Sequence, residues 1–109
     1  MDKEAVVNIV KRYADVVRRH FPVTRVVLYG SYATDNQRPY SDIDVAVVVE
    51  KLEKDILASE FELHKLRREV DEGIEPVLFI EGYDPSGFLA HIESTGITVY
   101  SAETASVGK

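Results

Sequence analysis

The stretch GSYATDNQRPYSDID, residues 30–44, decides how this chain is read. It joins two apolar runs. Residues 25–29, RVVLY, are rich in β-branched side chains and stop at Gly30, the pattern of a buried strand. Ile43–Val49, reading IDVAVVV, is apolar on both faces, which predicts a central strand covered from both sides. Between them, residues 32–41 are polar and contain Asp35-Asn36-Gln37-Arg38-Pro39, a composition that predicts a loop.

Working outward, Asp2 is a suitable N-cap for a helix whose apolar stripe is Ala5, Val6, Ile9, Val10, Tyr13, Ala14 and Val17. Arg18, Arg19 and His20 are predicted in its last turn, where positive charge suits the helix dipole, and Pro22 forbids continuation. On the other side, Leu52, Ile56, Leu63, Leu66 and Val70 recur at helical spacing with Ser59 in the gap. Leu57 and Phe61 widen that stripe, and Gly73 is the expected C′ residue. Ile74–Ile80 predicts a third strand, with Pro76 marking it as an edge or lying near its start. Asp84-Pro85 predicts an N-cap and first helical residue for a short helix to about Ser94, closed by Gly96. Residues 97–100 form a last short strand, and residues 102–109 read as a frayed tail after a single domain over 1–101. The order α-β-β-α-β-α-β predicts an α/β (α+β) fold, a mixed sheet with helices packed on it.

Composition narrows the function. The chain has 109 residues, length for one domain. It has no cysteine, so neither a disulfide nor a thiolate metal site or nucleophile is available. Thirteen Lys and Arg against nineteen Asp and Glu leave a formal charge of −6, which argues against direct binding of duplex nucleic acid. The N-terminus lacks the basic-then-apolar order of a signal peptide, and no apolar run approaches a membrane span, so the expected compartment is the cytoplasm with no membrane partner. His20, His64 and His91 share no spacing and suggest no metal cluster. The run Lys65-Leu66-Arg67-Arg68 reads as a solvated face partnered by Glu62 or Glu69.

Within the deciding stretch, three features carry chemistry. Gly30 follows a strand and lets backbone approach a ligand closely. Ser31-Tyr32-Ala33 is predicted to open a helical turn whose N–H groups, with the Ser31 hydroxyl, suit phosphate oxygens. Asp42 and Asp44, two apart on a strand, present both carboxylates on one face, roughly 6–7 Å apart at Cβ. Each raises the other's cost of ionisation; a divalent cation removes that cost, and hard oxygen donors suit Mg²⁺. Glu75 is costly as a lone carboxylate in an apolar segment. It completes a three-carboxylate cluster if its strand neighbours that of Asp42 and Asp44, and is a solvated edge residue otherwise. Tyr32 and Tyr40 fall in the loop that would flank a nucleotide base. A Gly-Ser pair alone reads as a turn and an Asp-x-Asp alone as solvated charge; joined by ten residues between two apolar strands they form a specific pattern.

That pattern resembles the signature of the DNA polymerase β nucleotidyltransferase superfamily. From about Ala5 to Tyr100 the chain is similar to the minimal nucleotidyltransferases (MNT), the antitoxins of HEPN/MNT toxin–antitoxin pairs. LYGSYA (28–33), SDIDVAV (41–47), IEPVLF (74–79) and HIESTGI (91–97) carry the likeness. It departs at Tyr32, where many members have a basic residue, at the glycine missing near Asp35, and at Glu75, where aspartate is frequent. The resemblance implies metal binding by Asp42 and Asp44, a third catalytic carboxylate at Glu75, and triphosphate contacts at Gly30 and Ser31. It implies ATP as substrate, Mg²⁺ as cofactor, and AMP transfer to a tyrosine of a HEPN ribonuclease toxin, silencing it. Two other functions fit the same residues: an antitoxin that only masks the toxin, and a small-molecule nucleotidyltransferase, for which an added acceptor-binding domain finds no room in this length.

Overall fold

The computed structural model describes residues 2–38 and 41–102. Tyr40 and residues 103–109 of the expected tail lie outside them. Helix α1 (Lys3–Val17) begins as read: the Asp2 carboxylate accepts the Ala5 amide at 2.8 Å. It ends at Val17, so Arg18, Arg19 and His20 lie beyond its last turn rather than in it. Arg18 is the C-cap, and its guanidinium sits 4.3 Å from the centroid of the Tyr100 ring.

Four strands follow: β1 (Val23–Tyr29), β2 (Ile43–Val49), β3 (Ile74–Ile80) and β4 (Ile97–Ser101), in the spatial order β3-β2-β1-β4. β1 runs antiparallel to both β2 and β4, while β2 and β3 are parallel. A parallel pair needs a crossover, and α2 (Ile56–Leu66) supplies it. The sheet is therefore mixed, with helices on both faces, as the order of elements implies. Pro76 sits in an edge strand, where a missing ladder donor is tolerated.

Alternation along the strands divides the interior in two. Val26 and Leu28 of β1 and Val45, Val47 and Val49 of β2 join α1 and the α2 residues Leu63 and Leu66 in the main core. Val27, Ala46 and Ile92 of α3 (Phe88–Thr95) form a smaller cluster on the opposite face, with Tyr29 and Phe79 packed against it. Arg25 ties that face together, pairing with Glu81 at 2.9 Å and with Glu93 of α3 at 2.8 Å.

Tyr13 links the helices of the main core. Its ring is fully buried, and its hydroxyl donates to the Leu63 carbonyl at 2.6 Å. Burial pushes that hydroxyl well above the usual phenol range. Tyr13→Phe is expected to cost about 1 kcal/mol, a fall of about 4–8 °C in a thermal melt. A variant that melts with the wild type would show that this bond contributes nothing.

Two helices differ from their sequence reading. Ser59 fills its buried place in α2, but Leu57 and Phe61 are 78% and 73% exposed, so the apolar stripe is narrower than expected. The helix also stops at Leu66, where a 3-10 turn over Arg67–Glu69 redirects the chain toward β3. Gly73 therefore does not cap α2. Its amide donates to the Asp71 carboxylate at 2.7 Å, and its carbonyl accepts the Ile43 amide at 2.9 Å, beginning the parallel ladder. Leu52 and Val70 lie outside the helix yet pack on the core. In α3, helical hydrogen bonding begins at Phe88 rather than at Pro85, because a turn at 85–87 intervenes. Gly87, not Asp84, is the N-cap, although the two Asp84 carboxylate oxygens accept the Leu89 and Ala90 amides of the first turn at 3.0 and 2.9 Å. Among the described residues no helix is long and apolar enough to cross a membrane.

Candidate functional site

The end of β1 sets the site. After Tyr29 the backbone takes φ 75° at Gly30, a left-handed conformation that favours glycine, and enters a 3-10 turn over Gly30–Tyr32. The Gly30 carbonyl accepts the Ala33 and Thr34 amides at 3.1 and 3.2 Å and the Thr34 hydroxyl at 3.1 Å, which fixes the turn. A Cβ on Gly30 would lie 2.3 Å from Oδ2 of Asp44. The absence of a side chain there is what makes room for the Asp44 carboxylate.

Strand register brings the acids together. Tyr29 pairs with Asp44 across β1 and β2, and Asp44 pairs with Glu75 across β2 and β3. The neighbourhood that the reading of Glu75 required is therefore present. Asp44 and Ala46 share the α3 face by alternation, away from the main core. Asp42 is exposed just before β2; Asp44 and Glu75 are half-buried. Burial, then the Asp42 charge, then the Glu75 charge hold the Asp44 carboxyl above the usual carboxylate range. Burial, with Asp44 second, raises the Tyr29 hydroxyl on the neighbouring strand.

Charge reaches further than ligation does. Among the described residues, no group of three or more His, Cys, Asp or Glu side chains is placed to hold one metal ion. Glu75 is engaged elsewhere: its Oε1 accepts from Arg67 Nη1 at 3.2 Å, and the same nitrogen donates to the Ile74 carbonyl at 3.0 Å. Asp42 and Asp44 remain a hard-oxygen pair of the kind a small divalent cation takes, with other coordination positions left to water and phosphate.

Arg67 was missed from sequence. It does not lie on a solvated face paired with Glu62 or Glu69. Glu62 pairs with Lys54 and stands 3.5 Å from His20, and Leu66 of the same run is buried. No local signal marks Arg67, because its contact with Glu75 depends on where α2 stops. Tyr32 is also corrected: it is 4% exposed and belongs to the main core, so it does not flank a bound base. A depression of about 220 Å³ lined by His20, Phe21, Pro22, Glu53, Lys54, Ser59 and Glu62 lies by the start of β1, at the end away from Gly30. Asp42, Asp44 and Glu75 do not line it.

An α-first mixed sheet with a Gly-Ser turn laid against an Asp-x-Asp strand defines a class. Residues 10–94 match the nucleotidyltransferase domain, and the chain belongs to that family. Solved structures agree on the fold. A Sulfolobus solfataricus protein described as a nucleotidyltransferase superposes with a TM-score of 0.68 at 17% identity, covering 93% of this chain and 85% of that one. A toxin–antitoxin structure with AMP-PNP gives 0.62 at 23% identity, covering 84% and 73%. The complex of tri-AMPylated Shewanella oneidensis HEPN toxin with MNT antitoxin gives 0.59 at 20% identity, covering 95% and 76%. No curated protein sequence matches the chain.

Proposed function

We propose that this nucleotidyltransferase is the MNT antitoxin of a HEPN/MNT pair and transfers AMP from ATP to a tyrosine hydroxyl of its HEPN ribonuclease partner. The observation that carries the reading is the Asp44 carboxylate, seated against Gly30 and in register with Glu75 at the mouth of the Gly30–Tyr32 turn. The fold likeness to MNT antitoxins, one in complex with an AMPylated toxin, supports the substrate and partner class.

In this reading Asp42 and Asp44 would hold Mg²⁺, with Glu75 as the third carboxylate. When bound, the metal ion neutralises phosphate charge and eases deprotonation of the attacking hydroxyl. Backbone N–H groups of the turn that begins at Gly30 and Ser31, with the Ser31 hydroxyl, orient the triphosphate oxygens. The tyrosine oxygen bonds to the α-phosphorus, the bond from that phosphorus to the α,β-bridging oxygen breaks, and pyrophosphate leaves. Glu75 would help hold the metal or take the phenolic proton, which otherwise passes to solvent. Positioning and charge stabilisation supply most of the acceleration in such a transfer.

The test is incubation with labelled ATP, Mg²⁺ and the HEPN partner. Label is expected on the partner with wild type and not with Asp42→Asn plus Asp44→Asn; equal labelling by the two sinks the proposal. The grip of Arg67 on Glu75 favours a second reading, neutralisation by binding alone. That reading predicts that the doubly substituted protein still silences the toxin, with no label transferred by wild type.

A further inference from the structure

Arg67 has no part in the activity proposed above, yet it holds the carboxylate of Glu75, which has one. Arg67 belongs to the 3-10 turn that ends α2, and Glu75 is the second residue of β3. One nitrogen, Nη1, donates to the Ile74 carbonyl at 3.0 Å and to Glu75 Oε1 at 3.2 Å. The first bond anchors the guanidinium to the start of β3; the second draws the Glu75 carboxylate to it. Glu75 is also the register partner of Asp44, so two opposing charges have a claim on one carboxylate: Arg67 and any cation held by Asp42 and Asp44.

We propose that Arg67 competes with a divalent cation for Glu75, so that the site offers two carboxylates while Arg67 is engaged and three once it lets go. The inference rests on the reading of Asp42 and Asp44 as a cation site. Three observations support it. Glu75 Oε1 is taken up by Arg67 Nη1 at 3.2 Å, and among the described residues no three-acid group is placed to hold a metal ion. The pair is accessible, with side-chain exposures of 29% for Arg67 and 45% for Glu75. A half-buried ion pair that still meets solvent is weaker than a fully buried one, so a cation can displace the guanidinium. Arg67 is accordingly a positioning residue: it acts through Glu75 and needs no contact with substrate.

The experiment is a calorimetric titration of the full chain with Mn²⁺ alone, on wild type, Arg67→Met, Glu75→Gln and the double variant. Arg67→Met is expected to tighten Mn²⁺ binding about fivefold, the scale of an ion pair that still meets solvent. On the Glu75→Gln background the same change is expected to do nothing. Unchanged or weaker binding by Arg67→Met overturns the proposal. So does equal tightening on both backgrounds, which reports only the loss of a nearby positive charge. If Arg67→Met does not fold, Arg67→Gln carries the same comparison. Failure of the cation site itself reads differently: wild type then takes no more Mn²⁺ than Asp42→Asn plus Asp44→Asn, and the competition falls with it.

Discussion

Asp44→Asn is expected to abolish AMP transfer, by about a thousandfold or more, while raising the melting temperature of the metal-free protein. Both effects come from one placement. The Asp44 carboxyl is desolvated and faces the charges of Asp42 and Glu75, so its ionised form is held at a cost in the folded state. Asparagine keeps the shape and removes the charge. The sign of the pH dependence follows. Because the folded protein releases this proton at higher pH than the unfolded chain does, stability falls as pH rises through and above the usual carboxylate range. The variant escapes that loss, so the gap between the two melting curves widens from acid to neutral pH. Millimolar Mg²⁺ with ATP is expected to close it from the wild-type side, since a ligand that binds only the folded state stabilises by mass action. Thermal melts at acid and neutral pH, with and without Mg²⁺-ATP, test all of this. A metal-free wild type that melts above Asp44→Asn at neutral pH would refute the electrostatic account. Transfer by Asp44→Asn at the wild-type rate would refute the assigned role.

Gly30→Ala is expected to damage the same site from the opposite strand. The backbone at Gly30 has φ 75°, where an L side chain costs about 1–2 kcal/mol. The new Cβ would fall 2.3 Å from Asp44 Oδ2 and 3.1 Å from its Cγ, so the carboxylate must move. Displacing a catalytic group by about 1 Å costs roughly a hundredfold in rate. The variant should therefore lose that much transfer activity and melt lower by about 4–8 °C for each kcal/mol of strain. Near-wild-type activity would show that the seat of Asp44 against Gly30 is not what positions the chemistry.

Much of the fold was legible because it is written in local pattern. Ile43–Val49 and Ile74–Ile80 appear with the bounds their apolar runs imply, and Asp2 caps α1 through the amide that its type and position predict. Asp84 shows the limit: its carboxylate does accept first-turn amides, but the intervening turn moved the helix start to Phe88 and the N-cap to Gly87. Leu57, Phe61 and Tyr32 were assigned from spacing or loop position, neither of which says which face meets the core. The first two are exposed and the third is buried.

For the candidate site the division is similar. Gly30, Ser31, Asp42 and Asp44 were singled out from one continuous stretch, since a strand-ending glycine and period-two carboxylates are local properties. The sequence by itself determined those residue types, the alternation of elements and the absence of any cysteine chemistry. Only the tertiary structure decided that β3 lies parallel beside β2, which sets Glu75 next to Asp44 from thirty-one residues away in the chain. It also decided that α2 stops early enough for Arg67 to reach Glu75. Neither follows from local propensity, because strand pairing and helix termination here are settled by packing between segments distant in sequence, and the charge on a carboxylate answers to whatever that packing brings beside it.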